Sequence, residues 1–434
     1  MDAAKIRWPN SLWTAVTPPG PKLPELTGDA HADVIVIGGG FTGLSAALHL
    51  REAGVDVAVV EAMEPGWGAS GRNNGQVIPT LSRPDPEDIV ARHGAAGERF
   101  VALLRDSASM LFDLARRYQI QAEQEQSGWV QPVHSPGRIG IAERRVRQWS
   151  KVGAPVEMLS RDATRAMLGS DAWFGGFWNR SGGHINPLAL SRGLARVVLE
   201  CGGRIYARSP AIFFERQNQR WVVKSAQGQI SGRALIVATN AYTGEFSKSL
   251  APDIAREVMP VLSWQMATQP LSENARRTIM PGRQAMSDTH GELYFARYDA
   301  RNRLVTGGAV IGPGNKPAKL KRVVAERLQR LWPQIGQVSF DHVWNGYVGM
   351  TTDFLPRLHR LGPDAFGWTG CNGRAVALSI ALGDEFSKAV RGYPLSDLAL
   401  PFTDPAPIVA HGLLRRLAPL MLMVYRRRDA REIA

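Results

Sequence analysis

Three glycines, Gly38, Gly40 and Gly43, close the apolar run "ADVIVIGGG" and open a helical one, and Glu61 ends the next apolar run, "VDVAVVE". That spacing suits a dinucleotide. Gly38 permits a tight turn, Gly40 lets a pyrophosphate approach the backbone, and Gly43 lets helix and strand pack closely. The free N–H groups and the dipole of the helix end attract the phosphates. Glu61 accepts hydrogen bonds from both ribose hydroxyls of an adenosine, and its charge repels a 2′-phosphate. NADP is therefore disfavoured, while NAD and FAD fit the motif equally.

The next stretch separates the two. After the acid, an NAD domain proceeds to its next helix, whereas this chain runs "MEPGWGASGRNNGQ". Gly68, Ala69 and Gly75 let backbone approach a flat ring. Ser70, Arg72, Asn73 and Asn74 offer hydrogen bonds to phosphate, ribityl and N5-side atoms. Far along the chain, Gly370-Cys371-Asn372-Gly373-Arg374-Ala375 opens another helical pattern, with Val376, Ile380 and Phe386 on one face. Its positive end suits the N1–C2=O edge of a flavin, where negative charge builds on reduction.

The surrounding elements have to bring these pieces together. Residues 32–61 hold one strand–helix–strand unit, and "RALIVATNAY" and "AFGWTG" read as further strands. Residues 84–170 read as mostly helical. Nucleotide-type pieces recur in three blocks, so the expected division is discontinuous. Residues 1–31 form an arm pinned by Trp13 and Leu26. Residues 32–83, 183–257 and 346–405 form the cofactor domain. Residues 84–182 and 258–345 form a substrate domain, and 406–434 a basic amphipathic helix.

With 434 residues, 44 % of them hydrophobic and 21 % charged, the composition is that of a globular protein. The formal charge of +13 is spread along the chain rather than gathered with aromatics, which argues against nucleic acid as a partner. Two cysteines make no disulfide framework and suit a reducing cytosol. The first residues lack a signal-peptide pattern, and no apolar run reaches the roughly 20 residues that span a bilayer. The tail "LLRRLAPLMLMVYRRRDAREI" reads either as a helix docked on its own protein, bent at Pro419, or as one lying in a membrane interface. The expected location is cytoplasmic, with the inner membrane face as the alternative.

The chain resembles the D-amino-acid-oxidase-type FAD-dependent oxidoreductases, most of all the branch of γ-glutamylputrescine oxidoreductases and glycine and sarcosine oxidases. "DVIVIGGGFTGLSAALHL", "GWGASGRNNGQ", "HINPLALSRGLA", "ALIVATNAYTG", "VMPVLSWQMATQP", "WNGYVGMTTDFLPRL" and "GCNGRAVALS" match in order. The resemblance implies an α/β fold: a Rossmann-like FAD-binding domain with an inserted α+β substrate domain built on an antiparallel sheet. Phe41, Thr42, Ala62, Ala211, Ala238, Thr239 and Gly346 complete the expected cofactor contacts. Relatives with covalent flavin carry a cysteine near the position of Met350. This chain has Gly349, Met350, Thr351 and Thr352 there, so noncovalent FAD is expected. Ala375 departs from a glycine common in the family.

The expected activity is oxidation of the C–N bond of a small amine or amino acid. Hydride passes from the α-carbon to flavin N5, and the resulting imine hydrolyses. Oxygen, or a quinone or protein, takes the electrons. The alternatives are a dehydrogenase feeding a membrane quinone and a flavin-binding protein without turnover. Arg72, Trp264, Tyr294 and Asn372 are the candidates to line the substrate pocket. Tyr294 and Arg297 sit three apart on a strand and so face opposite sides, which lets only one of them meet the ring. Asp353 is expected to fix a loop, and His184 to be structural. His342 and His359 lack partners at metal-ligand spacing, so no metal site is expected.

Overall fold

In the computed structural model, which describes residues 8–308 and 315–433, two large sheets carry the fold. Their strands, in chain order, are Val34–Ile37 (β1), Val57–Val60 (β2), Trp129–Pro132 (β3), Val156–Leu159 (β4), Gly176–Asn179 (β5), Arg204–Tyr206 (β6), Ala234–Val237 (β7), Met259–Pro270 (β8), Ala285–Ser287 (β9), Phe295–Tyr298 (β10), Arg303–Gly308 (β11), Phe340–Met350 (β12), Arg357–Gly362 (β13), Ala365–Thr369 (β14) and Phe402–Thr403 (β15). Four helices matter for the site: Phe41–Glu52 (α1), Lys316–Leu331 (α2), Val376–Val390 (α3) and His411–Ile433 (α4).

The seven-stranded sheet runs β15-β13-β14-β7-β1-β2-β6 and is parallel except where β13 meets β14. Every residue of β1, β2 and β7 is buried, as continuous apolar runs in a covered parallel sheet should be. Helices α1 and α3 cover one face. They cross so closely that a Cβ on Gly383 would lie 2.4 Å from Ser45, and Ser45 Oγ donates to the Ile380 carbonyl at 2.8 Å.

The eight-stranded sheet runs β12-β8-β11-β10-β9-β3-β5-β4 and is antiparallel except where β9 meets β3. The chain thus has the α/β architecture expected of it. One boundary differs from the sequence reading: β12 runs unbroken past residue 346 to Met350, hydrogen-bonded to β8 throughout. Gly346 therefore rides on the substrate sheet. A four-stranded sheet joins Gly28–His31, Gly228–Gly232, Arg220–Lys224 and Phe213–Gln217 in that order.

The arm is pinned by Trp13 and Leu26, both buried; its residues 1–7 lie outside the described part. Helix α4 docks on the body. Gly291 N–H donates to Asp429, Arg426 pairs with Glu292, and Arg138 pairs with Glu432. Among the described residues no helix is long and apolar enough to cross a membrane.

Candidate active site

The turn after β1 is built from positions that tolerate no side chain. Gly38 has φ +107°, and a Cβ on Gly43 would sit 2.0 Å from the Gly38 carbonyl oxygen. Helix α1 starts at Gly40 without a side-chain cap of its own. Ser70 Oγ, from the glycine-rich loop, accepts the Phe41 N–H at 2.9 Å instead. The Glu61 carboxylate accepts from Gly39 N at 2.6 Å and Met63 N at 2.9 Å. Burial raises its pKa against the bonds it accepts from the Met63, Gly39 and Ala62 backbone.

The turn, Glu61 and Ser70 line one cleft. Gly38, Gly40, Phe41, Thr42, Glu61, Ala62, Gly68, Ala69, Ser70, Ala211, Ala238 and Thr239 all lie on its wall, so the structure brings together twelve expected positions from four segments. Cys371, from the late turn, lines it too, as do Asn240, Tyr242 and Trp67, which were not singled out. Asn240 and Tyr242 follow the end of β7, where open α/β sheets place their ligands, and that rule could have found them. Asn240 has φ +45°, and both of its buried side-chain polar atoms lack hydrogen-bond partners. A buried amide in that state suits a ligand.

The loop of residues 68–76 uses its bare backbone largely to approach other protein. A Cβ on Gly75 would meet the Ile185 carbonyl at 2.1 Å, and one on Gly71 the Gly66 carbonyl at 2.2 Å. Asn73, expected at the cofactor, instead ties the loop to itself. Its Nδ2 donates to the Ala69 and Ser70 carbonyls, and its Oδ1 accepts from Gly75 N. Asn74 Nδ2 donates to Gln265 Oε1 and the Val305 carbonyl, leaving only Oδ1, buried and unpaired, for anything else.

Arg72 stands where this loop meets β12. Its Nε donates to the Trp67 carbonyl at 2.6 Å, its guanidinium stacks 4.2 Å above the Trp67 ring, and a Cβ on Gly346 would be 3.2 Å from its own. Tyr242 and Tyr347 meet edge to face beside it, and the Tyr242 hydroxyl accepts the Tyr347 N–H. Burial lowers the Arg72 pKa, yet a guanidinium remains charged at neutral pH.

The late turn is rigid. Gly370, Asn372 and Gly373 all have positive φ. Asn372 clips the turn to the end of β12: Oδ1 accepts from Thr351 N at 2.9 Å, Nδ2 donates to the Gly370 carbonyl, and its own N–H reaches the Gly349 carbonyl. Its side chain is engaged in shaping the turn, not in lining a pocket. Arg374 also departs from the expectation. It turns toward Thr80 and Leu81, donating to the Leu81 carbonyl at 3.0 Å, and lies over Trp129. Burial and nearby Arg145 push its pKa well down. Ala375 supplies the cap carbonyl of α3, which accepts the Ser379 N–H.

Two pocket candidates face the wrong way. On β8, Gln265 points to Asn74, so its neighbour Trp264 must point to the opposite face. Trp264 and Tyr294 both pack against the cluster of Met266, Leu320, Val324 and Leu328, beneath α2. Tyr294 is stacked between His290 at 4.1 Å and Arg327 at 4.4 Å. Arg297 takes the loop side, as strand parity requires of a residue three positions on. Asp353 is held between Arg357 and Arg92, both at 2.7 Å, and buried His184 Nε2 is 3.1 Å from the Arg283 carbonyl.

Residues 33–389 match the family model described as DAO, FAD dependent oxidoreductase. The chain belongs to that family. Gamma-glutamylputrescine oxidoreductase of Escherichia coli (strain K12) is 33 % identical over 362 residues, 83 % of this chain and 84 % of that protein. The probable oxidoreductase OrdL of Haemophilus influenzae is 28 % identical, covering 86 % of this chain and 85 % of its own. Among solved structures, glycine oxidase from Geobacillus kaustophilus superposes with a TM-score of 0.71 at 19 % identity, over 83 % of this chain and 95 % of that one. L-proline dehydrogenase from P. horikoshii gives 0.70 at 18 %, over 85 % and 94 %. These two share the fold.

Membership makes FAD the cofactor of this FAD-dependent oxidoreductase, and the residues present fit it. The side-chain-free turn, the helix start at Gly40, half-buried Glu61 and the unpaired Asn240 amide all face one cleft.

Proposed function

We propose that this chain oxidises the C–N bond of a small primary or secondary amine, of the polyamine-derivative or amino-acid kind. The observation that carries the reading is Arg72. It is a half-buried guanidinium at the junction of the cofactor loop and the substrate sheet, framed by Trp67, Tyr242 and Tyr347, and none of the described salt bridges pairs it with a carboxylate. The kinship with the 33 % identical gamma-glutamylputrescine oxidoreductase supports the substrate class.

When bound, FAD supplies the hydride acceptor, and the amine leaves as an imine that water hydrolyses. The chain's own residues do the rest. Glu61 holds the adenosine ribose, and the turns at Gly38–Gly43 and Gly68–Ser70 hold the phosphates. The start of α3 supplies positive potential for the charge that builds on the reduced cofactor. Arg72 orients the substrate through a carboxylate or carbonyl, with the aromatic frame excluding water. The amine must be neutral to react, so its rate rises with pH. Attachment is noncovalent: the Cys371 thiol accepts the Gly349 N–H at 3.2 Å, and burial raises its pKa away from the reactive thiolate. Both cysteines are free, which suits a reducing cytoplasm.

Helix α4 favours one second reading. Leu413, Leu414, Leu417, Met423 and Val424 are exposed beside exposed Arg415 and Arg427, a pattern that suits an anionic membrane surface and a quinone acceptor. Turnover of a panel of amino acids, N-methyl amino acids and acylated polyamines tests both readings. Carbonyl product from one amine class supports the first. Peroxide released in step with product identifies oxygen as acceptor; dye or quinone reduction without peroxide identifies the second. No carbonyl product from any amine overturns the proposal.

A further inference from the structure

Beyond the redox centre, the C-terminal helix brings a second set of chemistry-bearing groups together. Asp429 and Glu432 lie one turn apart on α4, so they project from the same face. They meet His134, which follows β3. Single ligand atoms from the three residues all lie within 4.8 Å of one another. His134 Nε2 is 3.4 Å from Glu432 Oε2, close to the roughly 3.3 Å edge of a tetrahedron with 2.0–2.1 Å metal–ligand bonds.

The second observation is the imidazole itself. His134 is 2 % exposed, and its Nε2 is buried without a hydrogen-bond partner. The ring is fixed on both sides. It stacks on His290 at 3.9 Å, and its Nδ1 is 2.7 Å from Thr289 Oγ1. Donation from Nδ1 to the threonine oxygen leaves the Nε2 lone pair directed at the two carboxylates, the arrangement that an outer hydrogen bond imposes on a metal-binding histidine.

Competing charges leave room for a cation. Arg138 donates to both Glu432 oxygens, Arg428 lies 3.5 Å from Asp429 and 3.6 Å from Glu432, and Gly291 N donates to Asp429 Oδ2 at 2.7 Å. Each carboxylate oxygen has a second lone pair after accepting one such bond. Asp288 stands behind His290 at 2.6 Å and adds a third carboxylate to a cluster that holds two guanidiniums, Arg138 and Arg428.

We propose that His134, Asp429 and Glu432 bind one divalent cation of the zinc type, with water completing the shell, and that the ion staples α4 to the body. The loop it secures, Asp288–Tyr294, leads directly into β10. The expectation of no metal rested on spacings around His342 and His359; these three ligands are drawn from distant parts of the chain.

The test uses the full FAD-loaded chain, stripped with chelator and dialysed against zinc chloride, with bound zinc counted by atomic emission. One zinc per chain is expected. His134→Gln and Glu432→Gln should each weaken binding about ten-fold or more, and zinc should slow proteolysis of the tail in the unaltered chain only. Glu432 lies on the outer helix and its amide still accepts from Arg138, so that variant keeps the fold if His134→Gln does not. His342→Gln should bind as the unaltered chain does. No retained zinc, or equal zinc on Glu432→Gln, overturns the proposal.

Discussion

Arg297 Nε donates to the carbonyl oxygen of Asn74 at 2.8 Å, and this bond joins the substrate sheet to the cofactor loop. The guanidinium is fully buried and also donates to the Ile185 carbonyl at 2.7 Å and the Tyr298 carbonyl at 2.8 Å. It lies 4.5 Å from the Trp13 ring, whose Nε1 donates to the Asn73 carbonyl. Burial pulls its pKa to about 10, so it stays charged at neutral pH.

Arg297→Met should therefore leave the Asn74 and Ile185 carbonyls unpaired. Orphaned buried groups cost about 1–3 kcal/mol each, so a loss of about 3 kcal/mol or more is expected. Urea unfolding followed by flavin release should show both transitions moving to lower denaturant together. An unchanged midpoint would contradict the staple.

Two glycines should behave differently on substitution by alanine. At Gly43 the added Cβ meets the backbone oxygen of Gly38 at 2.0 Å, which no rotamer relieves, and the variant should fail to hold FAD. At Gly40 the added Cβ meets Ser70 Oγ at 2.8 Å. Ser70 can rotate away, giving up the Phe41 N–H at a cost of about 1 kcal/mol. FAD affinity should fall several-fold, and Ser70→Ala should reproduce that loss in fluorescence titration.

Glu61→Gln removes the charged acceptor proposed for the ribose hydroxyls while an amide oxygen can still take the Gly39 N–H. Hydrogen bonds to a charged group contribute about 1.5–3 kcal/mol, so FAD should bind about 10- to 100-fold more weakly by equilibrium dialysis. Unaltered affinity would displace Glu61 from that role.

His184 should tilt the stability profile below neutrality. Burial, then Arg297, hold its pKa well below the usual imidazole value. Between that depressed value and about pH 6.5 the unfolded chain binds the extra proton, so stability rises with pH and is lost on acidification. The groups facing it are Glu125 at 3.8 Å and Arg283, which pair with each other. His184→Gln should flatten the slope of melting temperature between pH 6.5 and 5.

The glycine turn, Glu61 and the start of the late helix could be read from the sequence because each is a local pattern with one physical purpose. Ala238 and Thr239, which line the cleft, were expected from the family resemblance rather than from a local pattern. Trp264 and Tyr294 were misplaced because alternation shows which residues share a face, but not which face α2 covers. Asn73 and Asn372 were read as facing cofactor or substrate; their engagement with nearby backbone needed coordinates. Arg297 was read only as the partner that had to face away from Tyr294, since two of its carbonyl acceptors, Asn74 and Ile185, come from distant segments. The meeting of His134 with Glu432 likewise depends on where a C-terminal helix lands.

The most direct test mixes the FAD-loaded protein with the amine panel in the absence of oxygen and follows the flavin absorption band. Bleaching by one class of amine, faster at higher pH and slowed at least ten-fold in Arg72→Met with its flavin still bound, is the predicted result. A flavin that stays yellow with every amine, or bleaches at the same rate without Arg72, would contradict the account.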